Sequence, residues 1–154
     1  MDFQTRKAAL GNLTTREITT GDAAAAAKLS EELGYPVSTE GMEQRIQSLA
    51  GLADHVVYVA CLTGEVVGWI DVSVTCHLQE EPRAEIGGLV VSSTVRGGGI
   101  GRVLVECAER WTVHRGLNTL VVRSQISRDA AHRFYIREGF AQTKTSAVFT
   151  KKLS

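Results

Sequence analysis

Leu89-Val90-Val91-Ser92-Ser93-Thr94-Val95-Arg96-Gly97-Gly98-Gly99-Ile100-Gly101-Arg102 is the stretch that decides the fold. Its first three residues are apolar and β-prone, which predicts the end of a buried strand. From Val103 to Trp111, apolar residues recur at helical spacing. The glycines between the predicted strand and the predicted helix let the backbone approach a ligand closely. Strand, glycine turn and helix therefore predict an anion site at the helix start, suited to a phosphate or pyrophosphate, with Arg96 and Arg102 beside it.

Two other phosphate-binding loops are excluded by their spacing. The dinucleotide fingerprint Gly-x-Gly-x-x-Gly fails, because Arg102 or Leu104 stands where the third glycine is required. The nucleotide-triphosphate loop requires Gly-Lys-Ser/Thr, which is absent from this stretch. What remains is the pattern Arg96-x-x-Gly99-x-Gly101. The alternative interpretation is a plain helix start with flexible glycines and no ligand.

Composition limits the classes of protein that the chain can represent. Its 154 residues suit one domain, and we expect a single domain over residues 1–154 with residues 1–14 as a loose arm. Lys plus Arg equal Asp plus Glu at 17 each, which argues against a general nucleic-acid or membrane-surface binder. No apolar run is long enough to span a bilayer. The three cysteines suit no disulfide framework, and no secretion signal is evident, so we expect a cytoplasmic protein.

Hydrophobic periodicity and turn residues predict an α/β chain. Gly87-Gly88, in the middle of a strand, predict a bulge next to a ligand. A strand, a helix and a further strand after residue 83 imply a right-handed crossover and a parallel pair. The predicted strands and helices are Arg16–Thr19 (strand), Ala23–Leu33 and Thr39–Leu49 (helices), Val56–Leu62, Glu65–Thr75 and Arg83–Val91 (strands), Gly99–His114 (helix), Leu117–Ser124 (strand), Asp129–Arg137 (helix) and one or two strands from Phe140 to about Lys151.

A second stretch, from Arg128 to Phe140, makes a family resemblance specific. It ends in Phe134-Tyr135-x-x-x-Gly139-Phe140 and resembles the last helix of the GCN5-related N-acetyltransferases (GNATs), while the glycine stretch resembles their pyrophosphate loop. The last helix looks closest to bacterial aminoalkylphosphonate N-acetyltransferases. Arg128 departs from the Asn that many members carry. The resemblance implies the GNAT acyl-CoA N-acyltransferase fold: a mostly antiparallel sheet with one splayed parallel strand pair, flanked by helices.

The resemblance also implies an activity and a set of residues. A primary amine of a small molecule attacks the acetyl thioester of acetyl-CoA directly, through a tetrahedral intermediate. A backbone N–H near Val91 polarises the thioester carbonyl, and Tyr135 protonates the departing thiolate. The residues expected to bind acetyl-CoA are Leu89, Val90, Val91, Arg96, Gly97, Gly98, Gly99, Ile100, Gly101, Arg102, Ala131, Phe134 and Tyr135.

Other roles have open alternatives. Glu85 is the best candidate for the base that deprotonates the amine, the alternative being a solvated strand carboxylate. Tyr135 could instead be a packed helix residue. Ser124 and Arg128 are expected to shape the substrate site, and no metal site is expected. Two other functions stay open, an idle acetyl-CoA-binding or sensing module and a peptide or protein acetyltransferase, and a homodimer is possible.

Overall fold

A computed structural model describes residues 11–154 and contains a five-stranded sheet in the order β1-β2-β3-β4-β5. The first four strands pair antiparallel and β4 pairs parallel with β5. This mixed sheet with flanking helices confirms the predicted fold class. The strands are β1 (Leu13–Glu17), β2 (His55–Leu62), β3 (Glu65–His77), β4 (Glu80–Val91) and β5 (Leu120–Val122), and the α-helices are α1 (Ala23–Leu33), α2 (Thr39–Ala50), α3 (Ile100–His114) and α4 (Asp129–Arg137).

The described chain divides into two compact units, one ending at Val122 and the other comprising Arg123–Ser154. The first unit holds the whole sheet and α1 to α3. Its helices α1 and α2 pack over β2 and β3, where small and apolar side chains form a cluster. The members of this cluster are Ala23, Ala26, Ala27, Met42 and Ile46, with Ile18, Val37 and Trp69 packed against it. The other side of the sheet is covered by α3, whose buried face includes Leu104, Val105 and Ala108.

Charged and polar side chains fix the starts of the first two helices. Asp22 accepts two hydrogen bonds from the Arg16 guanidinium, at 2.7 and 2.9 Å, and one from the Thr19 N–H at 2.8 Å. Asp22 therefore ties β1 to the turn that precedes α1. Ser38 is the N-cap of α2, directly before the predicted first residue Thr39, and its hydroxyl oxygen accepts from the Gly41 N–H at 3.0 Å.

Several expected boundaries differ from the structure. β1 begins at Leu13, inside the segment expected as a loose arm, and residues 1–10 of that arm lie outside the described residues. The polar stretch expected as a connection between β3 and β4 is mostly strand, because His77 pairs with Glu80. β5 spans only Leu120–Val122 of the longer strand that was predicted. No helix of the described part of the chain is long and apolar enough to cross a bilayer.

The second unit contains α4 and the residues that follow it. Gly139 ends the helix with φ of 94°, and the Phe140 N–H donates to the Tyr135 carbonyl at 3.0 Å, which closes the last turn. The strands predicted from Phe140 onward are wrong, because residues 140–154 contain no strand in the structure. Val148 and Phe149 are 86% and 93% exposed. A strand needs a paired neighbour for its backbone groups, and this segment has none in the described part of the chain.

Candidate active site

Beyond its short parallel pair with β5, β4 has one edge without a neighbouring strand in the described part of the chain, and we call this unpaired edge, residues 87–91, the gap beside β4. Ala84–Ile86 pair with Leu120–Val122, and the pairing stops there. β4 nevertheless runs on to Val91, paired with β3 alone. One edge of β4 from Gly87 to Val91 therefore has no strand partner among residues 11–154. Its backbone N–H and C=O groups can pair with an extended ligand as another strand would. Leu89 and Val91, two of the predicted acetyl-CoA contacts, present their backbone groups at this edge, whereas Val90 pairs with Trp69 on β3.

The glycine-rich loop follows this edge and leads into α3. Gly97 and Gly99 have φ of 83° and 89°, a backbone region that residues with side chains rarely adopt. Gly99 is the N-cap of α3, and no side chain of the described chain caps this helix. The N–H groups of the first turn, which begins with Ile100 and Gly101, are therefore available to an anion. This arrangement fits the pyrophosphate loop that the sequence predicted.

The two arginines of this loop are held differently from each other. Arg96 is exposed, and its Nε–H donates to the carbonyl of Val91 at 3.1 Å, so its side chain folds back onto the end of β4. The Nε of Arg102 lies 3.5 Å from Oε1 of Glu106, one helical turn later. Both arginines were expected to add positive charge beside the anion site. The charge of Arg102 is partly offset by Glu106, whereas Arg96 lies close to the loop itself.

A bulge interrupts β4 where the gap begins. Asp71 pairs with Gly88 and Val72 pairs with Ile86, so Gly87 is an extra residue in β4. This confirms the bulge predicted from the two glycines. Glu85 lies just before it, half-buried, opposite Ser73 on β3 and Val121 on β5. The structure thus places the predicted base at the start of the gap.

A histidine–aspartate pair beside the bulge was missed by the sequence reasoning. Nε2 of His55 on β2 lies 2.6 Å from Oδ1 of Asp71 on β3, and both side chains are largely buried. Burial raises the pKa of Asp71, and the interaction with His55 acts in the opposite direction. The two residues are far apart in sequence and form no motif. Only the register of the β2–β3 hairpin, which brings the two side chains together on neighbouring strands, could have revealed this pair.

Tyr135 lies on α4, in the second unit. Its ring packs edge-to-face against Phe134 and Phe140, with ring centroids 5.3 and 5.6 Å apart. Burial raises the pKa of Tyr135, and the positive charge of Arg128 opposes that rise. The phenol therefore stays protonated at neutral pH and has a proton to donate.

The remaining predicted residues also belong to the second unit. Ala131 is half-buried on α4. Ser124 Oγ is buried and makes no hydrogen bond within the described part of the chain, which leaves a hydroxyl for a ligand or water. The exposed Arg128 is the N-cap residue of α4, and its N–H donates to the Gln125 carbonyl at 3.0 Å. The structure brings together the end of β4, the bulge and the glycine loop within the first unit.

A separate open cavity of about 440 Å³ lies between α3 and the β1–β2 edge of the sheet. None of the predicted site residues lines it, so it is distinct from the gap beside β4. Its lining residues are Thr15, Tyr58, Cys107, Arg110, Trp111 and His114. In residues 11–154, no group of three or more His, Cys, Asp or Glu residues could hold a metal ion.

Comparisons with known proteins agree with this geometry. Residues 23–140 match the model of the acetyltransferase (GNAT) family. The chain is 31% identical over 145 residues to aminoglycoside N(6′)-acetyltransferase type 1 of Stenotrophomonas maltophilia, covering 91% of this chain and 94% of the relative. It is 36% identical over 128 residues to aminoalkylphosphonate N-acetyltransferase of Salmonella typhimurium, covering 81% and 78%. The solved structure of aminoglycoside N-acetyltransferase AAC(6′)-Iy in complex with CoA shares the fold, with a TM-score of 0.82, 14% identity, and coverage of 92% and 95%.

Proposed function

This chain belongs to the GNAT family of acetyltransferases, and we propose that it acetylates the primary amine of a small molecule at the gap beside β4. It is an acetyl-CoA-dependent N-acetyltransferase. One observation carries the location of the site: the unpaired edge of β4 runs directly into a glycine loop and an uncapped helix. An extended arm and a pyrophosphate need these two features in that order.

The residues present fit acetyl-CoA. The edge of β4 at Leu89 and Val91 offers backbone groups to its pantetheine arm, and the first turn of α3 offers N–H groups to its pyrophosphate. Arg96, which is exposed beside the loop, adds positive charge. Phe134 and Ala131 are further proposed contacts, on the strength of the family resemblance alone. Bound acetyl-CoA supplies an activated acetyl thioester.

Glu85 and Tyr135 carry the proposed proton transfers. Glu85 accepts the proton that the acceptor amine must lose before it can attack, directly or through water. Its place before the bulge in β4 supports this role. Tyr135 donates a proton to the departing sulfur, and burial supports the role by keeping the phenol protonated. Ser124 and Arg128 are proposed to shape the acceptor site, and the unbonded hydroxyl of Ser124 supports that.

The acceptor is proposed to be a small polar amine. One relative is named for aminoglycosides and another for aminoalkylphosphonates, and both classes carry primary amines. An idle acetyl-CoA-binding module is not favoured, because these relatives are N-acetyltransferases. A peptide or protein acceptor is the second candidate. No specific feature of the structure favours it.

The proposal also covers the domain organisation, the location and the oligomeric state of the protein. The family match runs through both compact units, which supports one catalytic domain. The three cysteines of the chain are free thiols, which supports a reducing cytoplasmic location. Homodimer formation through the C-terminal segment is proposed because Val148, Phe149 and Leu153 expose apolar surface there.

An amine screen that detects free CoA thiol tests the proposed function. The panel contains kanamycin A, 2-aminoethylphosphonate, ethylenediamine and a lysine-containing peptide. We expect thiol release that depends on one of the small amines and yields an N-acetylated product. Acetyl-CoA binding without any amine-dependent thiol release would contradict the proposed function, and release with the peptide alone would establish the second candidate.

A further inference from the structure

We propose that Asp71, oriented by His55, is the residue that contacts the acceptor amine and takes its proton. This inference rests on the proposed function and names a catalytic residue that the family resemblance did not supply. Asp71 would touch the substrate and is therefore a catalytic residue, while His55 acts through Asp71 and is a positioning residue. Both lie in the first unit, as does the gap beside β4.

The bulge in β4 brings Asp71 to the start of the gap. A Cβ built on Gly87 would lie 3.4 Å from Oδ1 of Asp71, so this carboxylate lies directly over the extra residue. Because Gly87 has no side chain, the space beside the carboxylate is open. Gly87 is also the first residue of β4 beyond its pairing with β5. The Asp71 carboxylate is thus the side-chain group nearest to Gly87, where the unpaired edge begins.

His55 holds the carboxylate by Oδ1, which is also the oxygen nearer to Gly87. The 2.6 Å contact from Nε2 fixes Oδ1, and Oδ2, which would lie 4.0 Å from a Cβ on Gly87, is left for a ligand. The order across the sheet is His55 on β2, Asp71 on β3, Gly87 on β4, and then the gap. In strand order the histidine is thus one strand farther from the gap than the carboxylate. This is the arrangement in which one group orients another that does the chemistry.

The chemistry follows from the charges of the pair and the amine. An ammonium group binds to the carboxylate by charge-assisted hydrogen bonds. One N–H bond of the ammonium then breaks, its electron pair stays on nitrogen, and Asp71 gains the proton as an O–H group. Partial burial raises the pKa of Asp71, which makes it a stronger base than a solvated carboxylate. The neutral amine is left with the lone pair that attack requires.

Two other charged side chains, Arg83 and Glu85, lie on the face of the sheet that carries Asp71. Ser73, two residues after Asp71 on β3, pairs with Glu85, and Arg83 is two residues before Glu85. Arg83 is held by Glu80 at 2.9 Å. With Asp71 as the first acceptor, Glu85 takes the proton through water and not directly from the amine. Asp71 is nearer the gap along β4, because Glu85 precedes the bulge and Asp71 lies over it.

Steady-state kinetics of Asp71→Asn with the amine panel described above test the inference. The substitution keeps the shape and removes the charge, so kcat/KM for the amine should fall about ten- to a hundredfold, the range of a charge-assisted hydrogen bond. The Kd of acetyl-CoA should not change. Asp54→Asn is the matched control, because Asp54 pairs with Arg115 outside the site, and this variant should keep full activity.

Two variants of His55 separate positioning from folding. His55→Ala should lower kcat/KM for the amine without raising the Kd of acetyl-CoA. His55→Gln keeps a side-chain donor and should recover part of the lost kcat/KM. Unchanged kcat/KM for the amine in Asp71→Asn would overturn the inference and leave the proposed function intact, with the pair a structural contact only. If the unmodified protein releases thiol with no amine of the panel, the proposed function fails and the inference fails with it.

Discussion

Gly88 on β4 lies directly against the indole of Trp69 on β3. A Cβ at Gly88 would come within 2.9 Å of Cζ3 of that ring, closer than real side chains approach. The Trp69 indole packs against the apolar cluster formed by the side chains of α1 and α2, and its Nε1–H donates to the Ala26 carbonyl at 3.3 Å. The glycine after the bulge therefore lets the aromatic ring link β4 to the helices above it.

Gly88→Ala should lower the free energy of unfolding by about 1–3 kcal/mol, the usual cost of overpacking. The added methyl forces the indole out of its position. Chemical denaturation followed by tryptophan fluorescence measures the effect. Gly87→Ala is the matched control, since its Cβ would lie 3.4 Å from Asp71 and can be accommodated with little movement. Equal stability of the two variants would show that Trp69 moves at no cost.

Gly101→Val should weaken acetyl-CoA binding while the protein stays folded. Gly101 is in the first turn of α3, where a side chain is compatible with the backbone but would crowd the N–H groups proposed to hold the pyrophosphate. Gly99 is a poorer test, because its φ of 89° would add backbone strain. Calorimetric titration measures the Kd. Gly51→Val, at the end of α2 with φ of −81°, is the control. Unchanged affinity in Gly101→Val would remove the pyrophosphate assignment.

Glu85→Gln should lower turnover most at mildly acidic to neutral pH. In that range most of the acceptor amine is protonated, and a base is needed to release the attacking form. At higher pH the free amine is more abundant, so the difference should narrow. The pH–rate profile is measured beside that of Glu65→Gln, an exposed carboxylate at the start of β3. A profile that overlays that of the unmodified enzyme would make Glu85 a surface residue.

Asp22→Asn should destabilise the protein at neutral pH and reduce its sensitivity to acid. The Arg16 guanidinium holds the pKa of Asp22 below its ordinary value. A carboxyl with a lowered folded-state pKa adds stability above its unfolded pKa, and this stability is lost as pH falls through the folded value. The loss at neutral pH should be about 1.5–3 kcal/mol, the usual contribution of hydrogen bonds to a charged group. Denaturation at pH 7 and below pH 4 tests it, and an equal loss at both would contradict the linkage.

Much of the fold was predictable because local chemistry and tertiary structure agree along most of the chain. The glycines at 87 and 88 marked the bulge, since glycine weakens a strand unless the geometry needs it. The glycine loop and α3 were predictable because the glycines and the helical spacing of the apolar residues after them agree with the structure. The strand from Glu80 was missed because Glu80 and Glu81 are polar, yet hairpin pairing with β3 continues to His77.

Two parts of the account depend on information that a local pattern does not carry. Strands were predicted after Phe140, but strand pairing depends on a partner that the local sequence does not specify. The contact between His55 and Asp71 depends on the register of two strands, which fixes which side chains share a face. The predicted terminal strands therefore failed for lack of a pairing strand, and the His55–Asp71 contact was missed because no sequence motif reveals it.

The central claim, that this chain transfers acetyl to an amine with Tyr135 as the proton donor, is tested most directly by the turnover of Tyr135→Phe. The substitution keeps the ring contacts with Phe134 and Phe140 and removes only the hydroxyl. With an amine identified by the screen, we predict that kcat falls by roughly ten- to a thousandfold, the reach of one general acid, while the Kd of acetyl-CoA stays the same. Tyr35→Phe, at an exposed tyrosine, should keep full turnover. Full turnover in Tyr135→Phe would contradict the claim, since water would then protonate the thiolate and Tyr135 would only pack.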